Sequence, residues 1–192
     1  MNFPDVFPVL VTERLVLREA ADHDVDAVFE MESDPVAMRY WSRPPMQDIA
    51  EASAAVERAK TFFAARTGVR WSVTRPADDW MLGHLSLFNF SEQSGRADIG
   101  YGLARRHWGQ GFMHEALIAV VDYAFGPLGL RRLEADIDPR NRASVRALER
   151  LGFAREGLLR ERWQVGEEIS DTLLMGLLAH EWRERRERPA SG

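Results

Sequence analysis

Apolar residues recur along the chain at two alternating spacings, one typical of helices and one typical of strands. The clearest helix follows Gly111, because the apolar residues there recur at intervals of three and four and therefore share one face: Met113, Ala116, Leu117, Val120, Val121 and Ala124. Capping residues and apolar spacing predict three more helices: one capped by Asp22, one over about residues 48–65, and one that Asn141 begins and Gly152 ends.

Strand-like segments lie before, between and after these helices. They cover residues 9–18 with a polar break, 69–74, 81–90, 96–103, 133–137, 153–165 and 169–178. Turn-rich segments join the second, third and fourth of them, which predicts an antiparallel meander. The whole order predicts one mixed α/β domain over residues 1–180, with about seven strands flanked by about four helices. Residues 181–192 are rich in charge, and we expect them to form a frayed C-terminal tail.

The composition narrows the class of protein. With 192 residues, 45% of them hydrophobic and 29% charged, the chain has the balance of a soluble globular domain. Its net charge of −5 argues against nucleic acid as a partner and favours a cationic or amine-bearing substrate. The absence of cysteine excludes disulfide bonds, thiolate metal ligands and an acyl-cysteine intermediate.

The ends and the apolar runs of the sequence bear on its location. No apolar run approaches the length of a membrane span, and residues 1–5 do not begin a secretory signal. We therefore expect a cytoplasmic protein without a membrane partner. The sequence leaves the oligomeric state open, with a homodimer among the alternatives.

The segment Arg106-His107-Trp108-Gly109-Gln110-Gly111 lies between a predicted strand and the clearest helix. Glycines tolerate positive φ angles and let the main chain approach a ligand closely. Consecutive main-chain N–H groups at a helix N-terminus form an anion site that suits a pyrophosphate, and Arg105 and Arg106 add positive charge. The alternative is a turn whose glycines serve only the local geometry.

Two other phosphate-binding motifs are disfavoured. A dinucleotide-binding Rossmann turn needs Gly-x-Gly-x-x-Gly, which is not the spacing found here. A P-loop needs a lysine directly after its last glycine, whereas Lys60, the only lysine, lies far from this turn in the sequence. Nucleoside triphosphate chemistry is therefore an unfavourable interpretation.

Four blocks in order resemble the Gcn5-related N-acetyltransferase (GNAT) superfamily. The segment from Arg106 to Gly111 matches its Arg/Gln-x-x-Gly-x-Gly/Ala signature. Residues 138–144 with 149–153 resemble the Asn-x-x-Ser and Leu-Gly-Phe segments of the branch that acetylates ribosomal-protein N-termini, and residues 12–18 and 99–101 resemble two of its strands. The resemblance spans about residues 10–178 and implies a GNAT-like domain whose sheet splays at a wedge for the cofactor. The same branch includes acetylators of antibiotics and polyamines.

This resemblance implies an acetyl-CoA-dependent N-acetyltransferase that needs no metal and passes the acetyl group directly to a primary amine. The implied acceptor is a protein N-terminal α-amine; the alternatives are a small-molecule amine, such as a polyamine or an antibiotic, and a non-catalytic acyl-CoA sensor. The main-chain amide of Leu103 or Ala104 is expected to stabilise the oxyanion. The implied cofactor-binding set is Leu103, Ala104, Arg105, Arg106, His107, Trp108, Gly109, Gln110, Gly111, Phe112, Asn141 and Ser144.

The reaction needs a base, because an alkyl amine is mostly protonated at neutral pH. Asp136 aligns with a carboxylate that some relatives use and is the preferred base, ahead of Glu134, Asp98 and His84. For each of the carboxylates the alternative is a paired or solvated surface charge, and for His84 it is a place at the edge of the core.

The remaining site residues bind the sulfur and the acceptor. Many relatives carry a tyrosine as donor to the departing sulfur, but that position is Leu148 here, so Ser144 is the replacement candidate. Ser144 and Asn141 have helix capping as their alternative role. The acceptor is expected to meet aromatic side chains of loops and late strands, for each of which core packing is the alternative: Tyr40, Trp41, Trp163 and, less directly, Trp80.

Overall fold

The computed structural model describes residues 1–187 and contains an eight-stranded sheet. The strands are β1 Leu10–Val11, β2 Val16–Arg18, β3 Gly68–Thr74, β4 Met81–Ser91, β5 Arg96–Leu103, β6 Arg132–Ile137, β7 Ala154–Val165 and β8 Glu168–Leu178. The α-helices are α1 Val25–Ser33, α2 Ile49–Ala64, α3 Phe112–Phe125, α4 Arg142–Leu151 and α5 Ala179–Glu187. The predicted mixed α/β class is confirmed, with one strand and one helix more in the described residues than expected.

The sheet has one parallel pair of strands, and this pair opens. The strand order is β1-β2-β3-β4-β5-β6-β8-β7, and the predicted meander of β3, β4 and β5 is antiparallel. Strands β5 and β6 run parallel and are paired only from Arg96 to Asp98 against Arg132 to Glu134. Beyond that point, the rest of β5 is paired with β4 alone and the rest of β6 with β8 alone. The result is a gap between β5 and β6 on the side where α3 and α4 begin.

Helices cover both faces of the sheet, as the apolar pattern predicts. The larger core contains buried residues of α3, α4 and α5 with one face of the strands, including the fully buried Leu117, Leu148 and Trp71. A smaller cluster holds α1 and α2, through Val28 and Val56, on the other face. Helices α1 and α2 lie over β3 and β4. Neither of them covers the same face of β5 and β6.

The first predicted strand, residues 9–18, is two short strands joined by a turn. Leu10 and Val11 pair with Leu17 and Val16, and the Thr12 N–H donates to the Leu15 carbonyl at 2.9 Å. The polar break that the sequence showed is this turn. A carboxylate of α3 holds this turn in place. Glu115 accepts from the Thr12 hydroxyl at 2.5 Å and from the Arg14 main-chain N–H at 2.9 Å.

The frayed tail expected from Glu181 is corrected for residues 181–187, which belong to helix α5. Trp182 is the reason, because its side chain is buried in the larger core and its indole Nε1 donates to Asp122 of α3 at 2.7 Å. The expectation for residues 188–192 lies outside the described residues. No helix within residues 1–187 is both long and apolar enough to cross a membrane.

Candidate active site

The predicted phosphate-binding turn, residues 106–111, has the backbone that its glycines predict. Gly109 and Gly111 have φ angles of +73° and +81°, in the left-handed region that favours glycine. Gly111 is the N-cap of α3. A Cβ at Gly109 would meet nothing within 4 Å, so the main chain here faces open space. The turn therefore presents the first N–H groups of α3 and the positive end of its dipole to a ligand.

The side chains of Arg105, Arg106 and His107 contact other parts of the protein. Arg106 forms an ion pair with Glu30 at 3.0 Å and Arg105 with Asp34 at 3.4 Å, so both charges are directed to α1 and the loop after it. His107 is buried, and its Nε2 accepts from Arg106 at 3.0 Å. Both arginines are about half exposed, so these are surface ion pairs. The expectation that Arg105 and Arg106 add positive charge for a bound anion stays a prediction.

Arg14 is a cation at this turn that the sequence reading left without a role. Its Nε pairs with Glu115 at 2.6 Å, and its NH1 donates to the Gln110 carbonyl at 3.0 Å. Its guanidinium lies over the Phe112 ring, 4.8 Å from the centroid. The signal available in the sequence was the Thr12-to-Arg18 block, which resembled the superfamily without indicating what its arginine contacts.

Strand β5 presents main-chain groups to the gap. The Ala104 N–H donates to the Leu82 carbonyl of β4 at 2.9 Å. Because successive N–H groups of a strand point to opposite sides, the Leu103 N–H points away from β4, into the gap beside β6. The Leu103 carbonyl accepts from the Trp108 indole at 2.7 Å. Of the two predicted oxyanion donors, Leu103 has the suitable direction, whereas Ala104 is already paired.

The N-terminus of α4 closes the other side of the gap. Asn141 caps this helix, since its Oδ1 accepts from the Ser144 N–H at 3.1 Å. The Ser144 hydroxyl does not act as the cap but lies 2.7 Å from the hydroxyl of Tyr101 on β5. Leu148 is fully buried in the core. Tyr101 was part of a sequence block that resembled the superfamily, yet nothing in the sequence placed its hydroxyl beside Ser144.

Three carboxylates share the face of β5 and β6 that the helices leave uncovered. Asp136 accepts from the Thr172 hydroxyl at 2.7 Å and from the Trp163 indole at 3.3 Å. Glu134 is held by two arginines, Arg96 and Arg132, each at 2.7 Å. Burial raises the pKa of Asp98; a hydrogen bond from Asn89 opposes the rise, and the charges of Glu134 and Asp136 add to it. The three carboxylates therefore interact with one another, and Arg96 and Arg132 compensate part of their charge.

His84 is excluded as a base by its partners. Its Nδ1 lies 3.0 Å from Arg70 NH2, and a guanidinium donates but cannot accept, so Nδ1 is the acceptor and the proton of the neutral ring is on Nε2. Burial, together with the positive charges of Arg70 and Arg43, lowers the pKa of His84 well below its usual value. The fully buried Glu32 holds both arginines in place. His84 thus remains neutral, with no free lone pair for a substrate proton.

The predicted aromatic residues differ in their surroundings. Trp41 packs edge-on against His84, with ring centroids 5.4 Å apart. Its ring also covers Gly102, since a Cβ added there would lie 2.8 Å from the Trp41 Cζ2 atom. Tyr40 is exposed beneath the Arg140 guanidinium, and Trp163 is exposed beside Asp136. These three line the uncovered face. Trp80 is different, because it packs against both hydrophobic clusters and so serves the core.

The comparisons with known proteins agree with this geometry. A family model described as an acetyltransferase (GNAT) domain matches residues 14–154. The chain belongs to the GNAT acetyltransferase family. The uncharacterized N-acetyltransferase p20 of Bacillus licheniformis is 34% identical over 173 residues, which cover 90% of this chain and 97% of that protein. As a GNAT protein the chain is an N-acyltransferase, and its acyl donor is acetyl-CoA.

Two further GNAT proteins have more specific names. The ribosomal protein uS5-alanine N-acetyltransferase of Escherichia coli (strain K12) is 25% identical over 181 residues, covering 90% of this chain and 92% of that protein. A crystal structure of spermidine N-acetyltransferase from Vibrio cholerae in complex with CoA and spermine shares the fold, with a TM-score of 0.78. It is 22% identical and covers 90% of this chain and 99% of that one.

The residues at the GNAT site fit the acyl donor. The open main chain at Gly109 suits a pyrophosphate, and the Leu103 N–H faces the gap in which an extended arm has room to lie. At the inner end, the hydroxyls of Tyr101 and Ser144 face each other across the start of α4. Acetyl-CoA supplies an activated thioester when bound, and these chain groups would offer it an anion site, an oxyanion donor and hydroxyl donors.

Proposed function

We propose that this GNAT protein acetylates the N-terminal α-amine of a protein, as the ribosomal-protein branch of the family does. The observation that carries the proposal is the state of the candidate bases. Glu134 is paired with two arginines and Nδ1 of His84 is occupied by Arg70, whereas Asp136 accepts its two hydrogen bonds at Oδ1 and, within residues 1–187, keeps Oδ2 open. The base is therefore a single carboxylate oxygen, which is a weak base. Such a site favours the amine that is easiest to deprotonate. An α-amine has a pKa of about 8, against about 10.4 for a lysine-like alkyl amine.

The relatives support this choice in part. The Escherichia coli protein named above acts, by its name, on an alanine of ribosomal protein uS5, and it aligns over most of both chains. The second candidate is a polyamine, which the Vibrio cholerae structure contains as spermine. The observation that favours a polyamine is the row of Asp98, Glu134 and Asp136, because a carboxylate-lined face attracts a polycation.

In the proposed reaction, each residue acts on a defined atom. The amine nitrogen bonds to the acetyl carbon, the bond from that carbon to sulfur breaks, and the amine loses one proton. Asp136, oriented by Thr172 and Trp163, takes this proton directly or through water. The Leu103 N–H stabilises the oxyanion, and Ser144 donates a hydrogen bond to the departing sulfur. Tyr40, Trp41 and Trp163 form the walls against the acceptor.

The experiment compares Asp136→Asn with Asp171→Asn on a peptide that has a free N-terminus. Asp171, on the neighbouring strand β8, accepts from the Glu161 N–H and is the matched control carboxylate. We expect Asp136→Asn to lower kcat/KM about 100-fold, the usual contribution of a general base, and the control to retain activity. Full activity of Asp136→Asn would exclude this base. Acetylation of spermidine without acetylation of the peptide would favour the polyamine instead.

A further inference from the structure

The hydroxyl groups of Tyr101 and Ser144 form a pair whose hydrogen-bond direction the geometry decides. The two oxygens are 2.7 Å apart, which is an ordinary O–H···O distance. If Ser144 were the donor, the Tyr101 proton would have to go to the Ser144 carbonyl, which is 3.3 Å away and beyond that ordinary range. That carbonyl also belongs to the first turn of α4, where it serves the helix.

The chemistry of the two hydroxyls favours the same direction. A phenol is a stronger acid than an aliphatic alcohol and therefore the better donor of the pair. With Tyr101 donating to the Ser144 Oγ, the proton of Ser144 is free to point elsewhere. Ser144 lies at the N-terminus of α4 beside the gap between β5 and β6, so that proton is available to a group inside the gap.

We propose that Tyr101 is a positioning residue for the acetyl transfer: it holds the Ser144 hydroxyl so that its proton points at the sulfur of the acyl donor. This inference rests on the proposed function, which assigns Ser144 to that sulfur. Polarisation by the Tyr101 hydrogen bond strengthens the donor, because hydrogen bonds in a chain reinforce one another. Tyr101 itself does not touch the substrate.

The pair donates a hydrogen bond and does not transfer a proton. Burial raises the pKa of Tyr101 to about 12, although the Ser144 hydrogen bond acts in the opposite direction. A thiol has a pKa of about 8.5, so a thiolate does not take the proton of such a tyrosine. The proton that the thiol finally carries therefore does not come from Tyr101.

The kinetic test compares Tyr101→Phe with Tyr123→Phe and Ser144→Ala. Tyr123 is a buried tyrosine of α3 that packs edge-on against Trp71, which makes it a control for the loss of a hydroxyl from the core. We expect Tyr101→Phe to lower kcat about 10-fold, the worth of one hydrogen bond, with KM for acetyl-CoA unchanged. The double variant Tyr101→Phe/Ser144→Ala should be no slower than Ser144→Ala alone, because Tyr101 acts through Ser144. Multiplying losses would contradict the proposal.

A binding test needs no acceptor. At about pH 9.5, where the free thiol is mostly ionised, we expect wild type to bind coenzyme A about 10-fold more tightly than desulfo-coenzyme A. Tyr101→Phe should reduce this ratio, and Ser144→Ala should abolish it. Equal weakening of both ligands in Tyr101→Phe would show a merely structural role and overturn the proposal. If the ratio falls as expected while wild type acetylates no amine, the proposed function fails, whereas the orientation of Ser144 toward the sulfur by Tyr101 stands.

Discussion

At the scale of single residues, the sequence named the chemical groups of the site but not their state. The family resemblance predicted Asp136 and Ser144, and residue type and strand position indicated His84. The partners decide what each can do: Thr172 and Trp163 fix Asp136, Tyr101 fixes Ser144 and Arg70 occupies Nδ1 of His84. These partners come from strands that are distant in the sequence, and no local spacing in a single sequence brings them together.

The neutral state of His84 leads to a prediction about stability. Because its pKa is lowered in the folded protein, the unfolded chain binds a proton below about pH 6.5 that the folded chain does not bind. The free energy of unfolding should therefore fall on acidification, by up to about 1.4 kcal/mol per pH unit from this residue. His84→Asn keeps an acceptor for Arg70 and should lack this contribution.

The measurement is urea denaturation of both proteins between pH 5 and 8, with the exposed His180→Gln as control. The difference between wild type and His84→Asn should change with pH below about 6.5 and stay constant above it. Parallel curves over the whole range would mean that His84 takes up a proton in the folded protein, and the tautomer argument would then be wrong.

At the scale of elements, the sequence predicted the regular structure well where apolar spacing and caps agree. Helix α3 has an apolar face and a glycine N-cap, and α2 has the capping residue Asp48 with Glu51 three positions on. The turn between β1 and β2 was read only as a polar break, because its cause is Glu115, far along the chain. Helix α5 was missed because its one large apolar residue, Trp182, gives no period among charged neighbours.

Two glycine variants can distinguish a loss of the anion site from the effect of ordinary backbone strain. Gly109 and Gly166 have φ angles of +73° and +60°, and a Cβ at either would meet nothing within 4 Å. Alanine should therefore cost each about 1–2 kcal/mol of stability, by strain alone. Only Gly109→Ala should also weaken the binding of acetyl-CoA, because its Cβ would enter the space that the pyrophosphate needs. Isothermal titration of both variants checks this, and an equal effect on binding would locate the anion site elsewhere.

Helix α5 is expected to be part of the folding unit. Trp182→Ala removes a buried indole and its hydrogen bond to Asp122, and it should lower the free energy of unfolding by about 3–5 kcal/mol. Arg183→Ala, at an exposed neighbour, should change it by less than about 0.5 kcal/mol. Chemical denaturation gives both values. A small effect of Trp182→Ala would show that residues 181–187 do not belong to the folding unit.

At the scale of the whole molecule, one departure from regular sheet pairing creates the site. Strands β5 and β6 part after Asp98 and Glu134, and the N-termini of α3 and α4 lie at the opening. In the proposed function, the open turn at Gly109 on one side of the gap binds the acyl donor, and the carboxylate-lined face with Trp41 and Trp163 binds the amine. The resemblance to GNAT proteins implied this division of labour, whereas composition and periodicity alone did not.

The most direct test of the proposed function locates the acetyl group after a single reaction. Purified protein is incubated with acetyl-CoA, spermidine and a peptide that has both a free alanine N-terminus and an internal lysine, and the products are sequenced by tandem mass spectrometry. We expect acetyl on the alanine α-amine, because the proposed base is a carboxylate, which is too weak a base for the more basic amines. Acetyl found only on the lysine or on spermidine, or on no amine although acetyl-CoA binds, would contradict it.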